Sequence, residues 1–330
     1  MGIRLKRALT APKRGKSVTK TIKWDGVPIA KPGLYSNIAL ELYHSAKICD
    51  GVSVSSSGLR KIFNESAAHY WAESPLNPNR VEGPEKPHYV LGRAVHHLML
   101  GEPFFAKLFA IQSLELPDED GVLKPWQGNR KVCKAWLRQT RESGRAVLTP
   151  ADVENIKGMA GVLGRHPLIR AGALNGQIER SGFWKDKKTG VWLKIRPDSI
   201  PTSDGDYVDL KTCLSVQWED LVRSIGEYAY HQQFSLIRTV ARELGLPFHS
   251  ATLVFVEKTA PYCTRVVTVK DNDLDLGEKQ NKAALDIFAD CIKSGNWPGP
   301  GGDREDAEWI EIGTRARERV ETKLTILGAG

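Results

Sequence analysis

Residues 195–213 read IRPDSIPTSDGDYVDLKTC, and this stretch decides the fold. Asp209 and Lys211 stand two apart between the apolar Val208 and Leu210, so on a strand the acid and the lysine share one face and the apolar pair takes the other. A turn cluster at Pro201 to Asp206 precedes them. Pro197 directly before Asp198 restricts that point to an edge or an irregular strand end. The expected structure is a hairpin: Asp198 closes one strand, and Asp209 and Lys211 return on the next after a gap of ten residues.

A hairpin of this kind brings two carboxylates and an ammonium together. Carboxylate oxygens are hard ligands suited to Mg2+, which keeps several waters and can bridge a phosphate. Such an ion neutralises a phosphodiester and lowers the pKa of a bound water, while a neighbouring lysine orients that water or stabilises developing charge. The chemistry implied is metal-assisted phosphodiester hydrolysis. Spacing alone is a weak signal, because 26% of the residues are charged and a solvated hairpin with a cross-strand ion pair carries the same letters. The apolar neighbours, the proline and the strand-to-helix junction after Thr212 favour a site.

Working outward, ERSGFWKDKKTGVWLKIRPDSI and YVDLKTC read as a three-strand meander with turns at Asp186 to Gly190 and Pro201 to Asp206. A helix is expected over Gln217 to Leu244, strands over Ser250 to Glu257 and Thr264 to Val269, and a helix over Asp273 to Lys293. Upstream, helical patterns follow the serine cluster at Ser53 to Ser57, cover Tyr89 to Leu100 and Asn129 to Glu142, and open again at Thr149-Pro150. Helices followed by β-β-β-α-β-β-α make an α/β core with a mixed sheet, prefaced by a mostly helical section. The chain divides into a basic, disordered arm at 1–30, a mostly helical part at 31–175, the core at 176–294, and a linker with a charged C-terminal helix at 295–330.

The 330 residues suffice for one large core or two ordinary ones, and no apolar run is long enough to cross a membrane. Five scattered cysteines fit neither a disulfide framework nor a CxxC metal site and suit a reducing cytoplasm. The net charge of +8 has a local origin. Residues 1–24 carry eight Lys and Arg and no acid, and removing those eight from the 47 in the chain leaves 39 against 39 acids. The segment reads as a phosphate-binding arm, a targeting peptide or a solvated tail; it lacks the apolar stretch of an export signal.

The pattern RPD, ten residues, DLKT, with GRAVH at 92–96 and YHQQ at 230–233, resembles the PD-(D/E)xK nuclease superfamily, in particular the RecB-like branch that contains phage-type exonuclease VIII (RecE-like) enzymes. KPGLYSNIALELYHS (31–45), SVSSSGLRKIFNESAAHYW (53–71), LGRAVHHLML (91–100) and FVEKTAPYCTRVVTV (255–269) look like segments of that family in the same order, so the resemblance covers about residues 31 to 270. It implies a restriction-endonuclease-like core with a central mixed sheet flanked by helices. Asp198 and Asp209 become metal ligands, and Lys211 acts on the nucleophilic water. His96, four residues after Gly92, becomes a further ligand, although a histidine on an apolar helix is also an ordinary core residue. Glu179 matches an acid beside the site, or is a surface acid at a strand end. Gln233 matches the glutamine of a Gln-x-x-x-Tyr element whose tyrosine is replaced by Ile237; Tyr230 offers an aromatic one turn earlier, with core packing as the plain alternative.

The implied activity is a Mg2+-dependent exodeoxyribonuclease, with Mn2+ substituting. It would degrade linear double-stranded DNA from an end, 5′ to 3′, and leave 3′ single strands for an annealing protein in recombination. A homo-oligomer, in ring form, is the implied assembly. A structure-selective endonuclease and an inactive DNA-binding module are the competing readings. Asp271 to Lys282 starts like a calcium loop but has Leu276 and Lys282 where glycine and glutamate are needed. Cys213, Cys263 and Cys291 are too far apart to resemble an iron–sulfur cluster motif, and no phosphate loop for ATP is present.

Overall fold

The Ser250–Glu257 strand is apolar through its interior except for Thr252 and buried at all but its two end residues, which suits it to the centre of a sheet. In the computed structural model, which describes residues 20–80, 87–101, 105–178, 180–200, 205–302 and 306–328, it pairs parallel with Asp206–Cys213 and antiparallel with Thr264–Thr268. Asp209 stands opposite Leu253, and Lys211 opposite Phe255. Parallel pairing requires a long crossover, supplied here by two helices, Trp218–Glu227 and Tyr230–Glu243.

Helices cover both faces of this three-stranded sheet. Val208, Leu210, Val254 and Val256 pack against Leu91, Ala94 and Val95 of the Pro87–Met99 helix and Ile156, Met159 and Leu163 of the Pro150–Leu163 helix. The latter starts with the expected hydroxyl cap, a reciprocal capping box between Thr149 and Asp152. On the other face Tyr207, Leu253 and Phe255 meet Leu236, Ile237 and Val240 of Tyr230–Glu243, with Leu274, Ala284 and Phe288 of the long Asp271–Ser294 helix behind. These last two helices approach closely at Gly277, where a Cβ would stand 2.8 Å from the Gln232 Cα.

Five expectations are corrected. Ser181–Lys185 and Trp192–Ile195 do form an antiparallel pair, but the third strand of the meander does not join them. They belong to a separate five-stranded sheet with Ile22–Lys23, Gly33–Ser36 and Ser53–Ser55, so the section at 31–175, expected to be mostly helical, contributes two strands to it and the arm a third. Residues 199–200 pair instead with 177–178, so the hairpin through Asp198 is not a two-strand ladder. Its physical reason lies at Leu210, whose N–H is taken by the Asp198 carboxylate rather than by a strand.

The single helix expected over 217–244 breaks at Tyr228-Ala229. Ala229 adopts a left-handed conformation (φ 49°, ψ 48°), which costs a non-glycine residue roughly 1–2 kcal/mol. The basic arm also ends earlier than residue 30. Ile22 and Lys23 pair with Tyr35 and Ser36, and Ile29 is buried, while residues 1–19 lie outside the described residues. Residues 105–126, with no clear period in sequence, form a short helix and short strands: Phe109–Ile111 pairs with Ala146–Leu148, and Glu115–Pro117 with Leu123–Pro125.

Residues 298–330 form a unit of their own. Its helix, Thr314–Ile326, buries no residue. Among the described residues no helix is long and apolar enough to cross a membrane.

Candidate active site

The exposed edge of the Asp206–Cys213 strand is closed by side chains. On a strand the N–H and C=O of one residue point the same way, and those of Leu210 point away from the Ser250–Glu257 partner. The N–H donates to Asp198 Oδ2 at 2.9 Å, and the carbonyl accepts from His96 Nε2. The peptide groups flanking Leu210 therefore gather an aspartate and a histidine from distant parts of the chain. This also explains the Gly92-to-His96 spacing. Four helical residues advance about 6 Å and two strand residues about 6.6 Å, so with Gly92 beside Thr212, His96 reaches Leu210 on a helix running against the strand.

His96 Nε2 must donate, since a carbonyl only accepts. The other ring nitrogen, Nδ1, faces Asp198 Oδ2 at 3.4 Å. His97, on another face of the same helix, is buried beside the Phe105 and Phe109 rings.

Asp209 is 3% exposed and points to the opposite side of the strand from Val208 and Leu210. Its Oδ1 accepts from Gln233 Nε2 at 3.0 Å, and its Oδ2 is in close contact with the Lys211 ammonium, without a well-aligned hydrogen bond. Lys211 in turn lies 5.2 Å from the centre of the Tyr230 ring, a cation–π contact. The helix break at Ala229 places Tyr230 and Gln233 in the first turn of a new helix aimed at the strand. Tyr230 thus has a place in the cluster, whereas Ile237 is an apolar core residue. Glu179 lies outside the described residues.

The charges set one another. Burial opposes ionisation of Asp198, but His96, Lys211 and the Leu210 N–H outweigh it and hold its carboxyl below the ordinary aspartate range. Burial and the adjacent Asp198 charge push Asp209 up, against the pull of Lys211 and His96. Burial also works against a charged Lys211 and a charged His96, yet the two carboxylates prevail and raise both.

Arg60 was not legible as a site residue. It lies in the Ser56–Asn64 helix, donates to the Tyr228 carbonyl at 2.5 Å, and interacts electrostatically with Tyr230 and Asp209; burial lowers its pKa. Nothing in SSGLRKIFN marks it, because its hydrogen-bond partner lies 168 residues away.

Among the described residues no group of three or more His, Cys, Asp or Glu side chains is placed to hold a metal ion. Mg2+ needs less than that, since one or two carboxylates and several waters are its usual complement. Asp198 and Asp209 supply hard oxygens on either side of one peptide group, and the buried Asp209 Oδ2 has only the ammonium against it. Two carboxylates of this kind fit a divalent ion that keeps water for its remaining ligands.

A family model described as "PDDEXK-like domain of unknown function (DUF3799)" matches residues 55–307. The chain belongs to this family. Pro197, Asp198, Asp209 and Lys211 give the PDDEXK letters in order within the matched region. A crystal structure from Eubacterium rectale described as a "Putative exonuclease" is similar, with a TM-score of 0.51 and 15% sequence identity over 80% of this chain and 92% of that one. At that identity the likeness concerns the fold, and a mixed sheet between helix layers is the restriction-endonuclease-like arrangement. No curated protein matches the chain.

Proposed function

We propose that this PDDEXK-like protein is a Mg2+-dependent exodeoxyribonuclease that hydrolyses linear double-stranded DNA from an end, 5′ to 3′, leaving 3′ single strands for an annealing protein. The observation that carries the reading is the convergence of Asp198, His96, Asp209 and Lys211 on the Leu210 peptide. The family match supports it, as does a structural neighbour described as a "Putative exonuclease".

Asp198 and Asp209 would hold the ion, with Mn2+ able to replace Mg2+. When bound, it supplies positive charge at the scissile phosphate and acidifies a water ligand. The protein's own groups do the positioning. Leu210 fixes the Asp198 carboxylate through its N–H and the His96 tautomer through its carbonyl. Gln233 holds Asp209 Oδ1, which leaves Oδ2 as the working oxygen. Lys211, steadied by the Tyr230 ring, is placed to orient the attacking water and to stabilise charge on the phosphate. The assembly is proposed to be a homo-oligomer that encircles the duplex.

The test is digestion of linear and closed circular duplexes, labelled at either 5′ or 3′ ends, with Mg2+, Mn2+ or EDTA. Metal-dependent release of 5′-terminal nucleotides from linear DNA alone is expected. Cutting of circles makes the protein an endonuclease. Metal-dependent binding without cleavage makes it a DNA-binding module.

A further inference from the structure

A second polar cluster uses a different face of the Ser56–Asn64 helix from Arg60. A cavity of about 220 Å³ is lined there by His44, Ser53, Lys61, Glu73, Arg80 and Lys194, together with the first turn of the helix. Lys194 is 4% exposed, yet no carboxylate among the described residues pairs with it. Its Nζ donates to the Tyr43 carbonyl at 2.8 Å and lies 5.3 Å from the centre of the Tyr43 ring. An ammonium has three donors, so two remain for the cavity. A buried cation is ordinarily paired.

Two further sets of donors line the cavity. Ser53 Oγ is buried with no oxygen or nitrogen partner, and its one hydrogen-bonding neighbour is the Cys49 thiol, whose pKa the hydroxyl lowers against the upward push of burial. Ser55, the cap residue of the nine-residue helix, makes no side-chain capping bond, and the first turn contains no acid. Its amides therefore present the positive end of the helix to the cavity. Among the described residues the one carboxylate in the lining, Glu73, is paired with Lys61 at 2.5 Å. His44 reports the resulting field: burial and then the Lys194 and Arg196 charges lower its pKa.

We propose that this cavity is a phosphate-binding site, separate from the Asp198, Asp209 and Lys211 cluster. Lys194, Ser53 and the first-turn amides would donate to the phosphate oxygens. Donors from a side-chain ammonium, a hydroxyl and a helix terminus suit a tetrahedral anion with several acceptor oxygens. The volume, below the roughly 300–1,000 Å³ of pockets for drug-sized ligands, fits a phosphoryl group rather than a whole nucleotide. Its source is either free phosphate or a phosphate at a nucleic-acid strand end. The proposal does not rest on the nuclease reading, because binding needs neither metal nor cleavage.

The experiment titrates the full chain with inorganic phosphate at constant ionic strength in EDTA, following melting temperature and 31P line width. Saturable stabilisation beyond that of chloride is expected. Ser53→Ala removes a hydroxyl whose one partner is the neighbouring Cys49 thiol, so it should melt close to the wild type without phosphate and bind phosphate about tenfold more weakly. Lys194→Met should abolish the effect. Duplexes with 5′-phosphate, 3′-phosphate or no terminal phosphate, again in EDTA, separate the sources. A preference for one phosphorylated end that Ser53→Ala removes identifies a strand end, and equal binding of all three identifies free phosphate. The proposal is overturned if phosphate acts no differently from chloride, or if Ser53→Ala and Lys194→Met bind it as the wild type does.

Discussion

Lys211 and Lys194 are two strand lysines drawn into the protein with opposite company. Lys211 has Asp209 in contact, Asp198 nearby and the Tyr230 ring beneath it, and its pKa is raised. Lys194 has a carbonyl and the Tyr43 ring, and burial lowers its pKa to about 8. Each lysine lies over a tyrosine ring, so the aromatic contact does not explain the difference. The carboxylates do. The first region is a closed charge network, organised to act on something that arrives with its own cation. The second is an open one, whose missing partner is an anion.

The largest effects should come from opening the closed network. Asp209→Asn and Asp198→Asn are each expected to lower single-turnover cleavage by about 10³-fold or more, and Lys211→Met by about 10²–10³-fold. The lysine variant carries a second, opposite signature. Its ammonium lies against the Asp209 oxygen that an ion would use, so Lys211→Met should bind Mn2+ more tightly while cleaving less. Calorimetry in parallel with cleavage tests this, and weaker Mn2+ binding in that variant would place Lys211 among the groups that help hold the ion.

Gln233→Ala comes next. It leaves both carboxylates and frees Asp209 Oδ1, so a loss of about 10–100-fold is expected, in the range typical of groups that orient metal ligands. Gln233→Glu sets a second carboxylate against Asp209 and should be worse than alanine below saturating metal. Equal activity of all three proteins would show that Asp209 is held well enough by Lys211 alone.

Asp198, Asp209 and Lys211 were legible because their spacing is local and strand alternation puts the last two on one face. Asp198 reaches the strand by a different route from the one its spacing suggests. A hairpin was expected, and a side-chain-to-backbone bond at Leu210 does the work, which no period of two reveals. The helix break at Ala229 was hidden because alanine is a strong helix former, and only the tertiary contacts at Tyr228 and Tyr230 show the chain turning there. Gly33–Ser36 and Ser53–Ser55 escape because they are short and each depends on a partner strand more than 130 residues away. Lys194 was invisible for a similar reason. In VWLKI it reads as the polar member of an alternating strand, and its burial depends on the segment around Tyr43 covering it.

The smallest expected effect concerns Lys194 and pH. Between pH about 8 and its ordinary 10.5, Lys194 is protonated in the unfolded chain and neutral in the folded one. The unfolded state then binds more protons, so stability from this group rises with pH across that window. Below it, keeping the charge buried costs up to about 3 kcal/mol. The Cys49 thiol, His44 and Arg196 share the surroundings, so the comparison must be with Lys194→Met, in which those groups remain. At pH 7 that variant should melt at or above the wild-type temperature, offset by the lost bond to the Tyr43 carbonyl, and the gap should close as pH rises toward 10. Saturating phosphate should flatten the wild-type slope, because a bound anion keeps the ammonium charged in the folded state. A slope that phosphate leaves unchanged would mean that Lys194 is merely a buried base, and the contrast with Lys211 would reduce to packing.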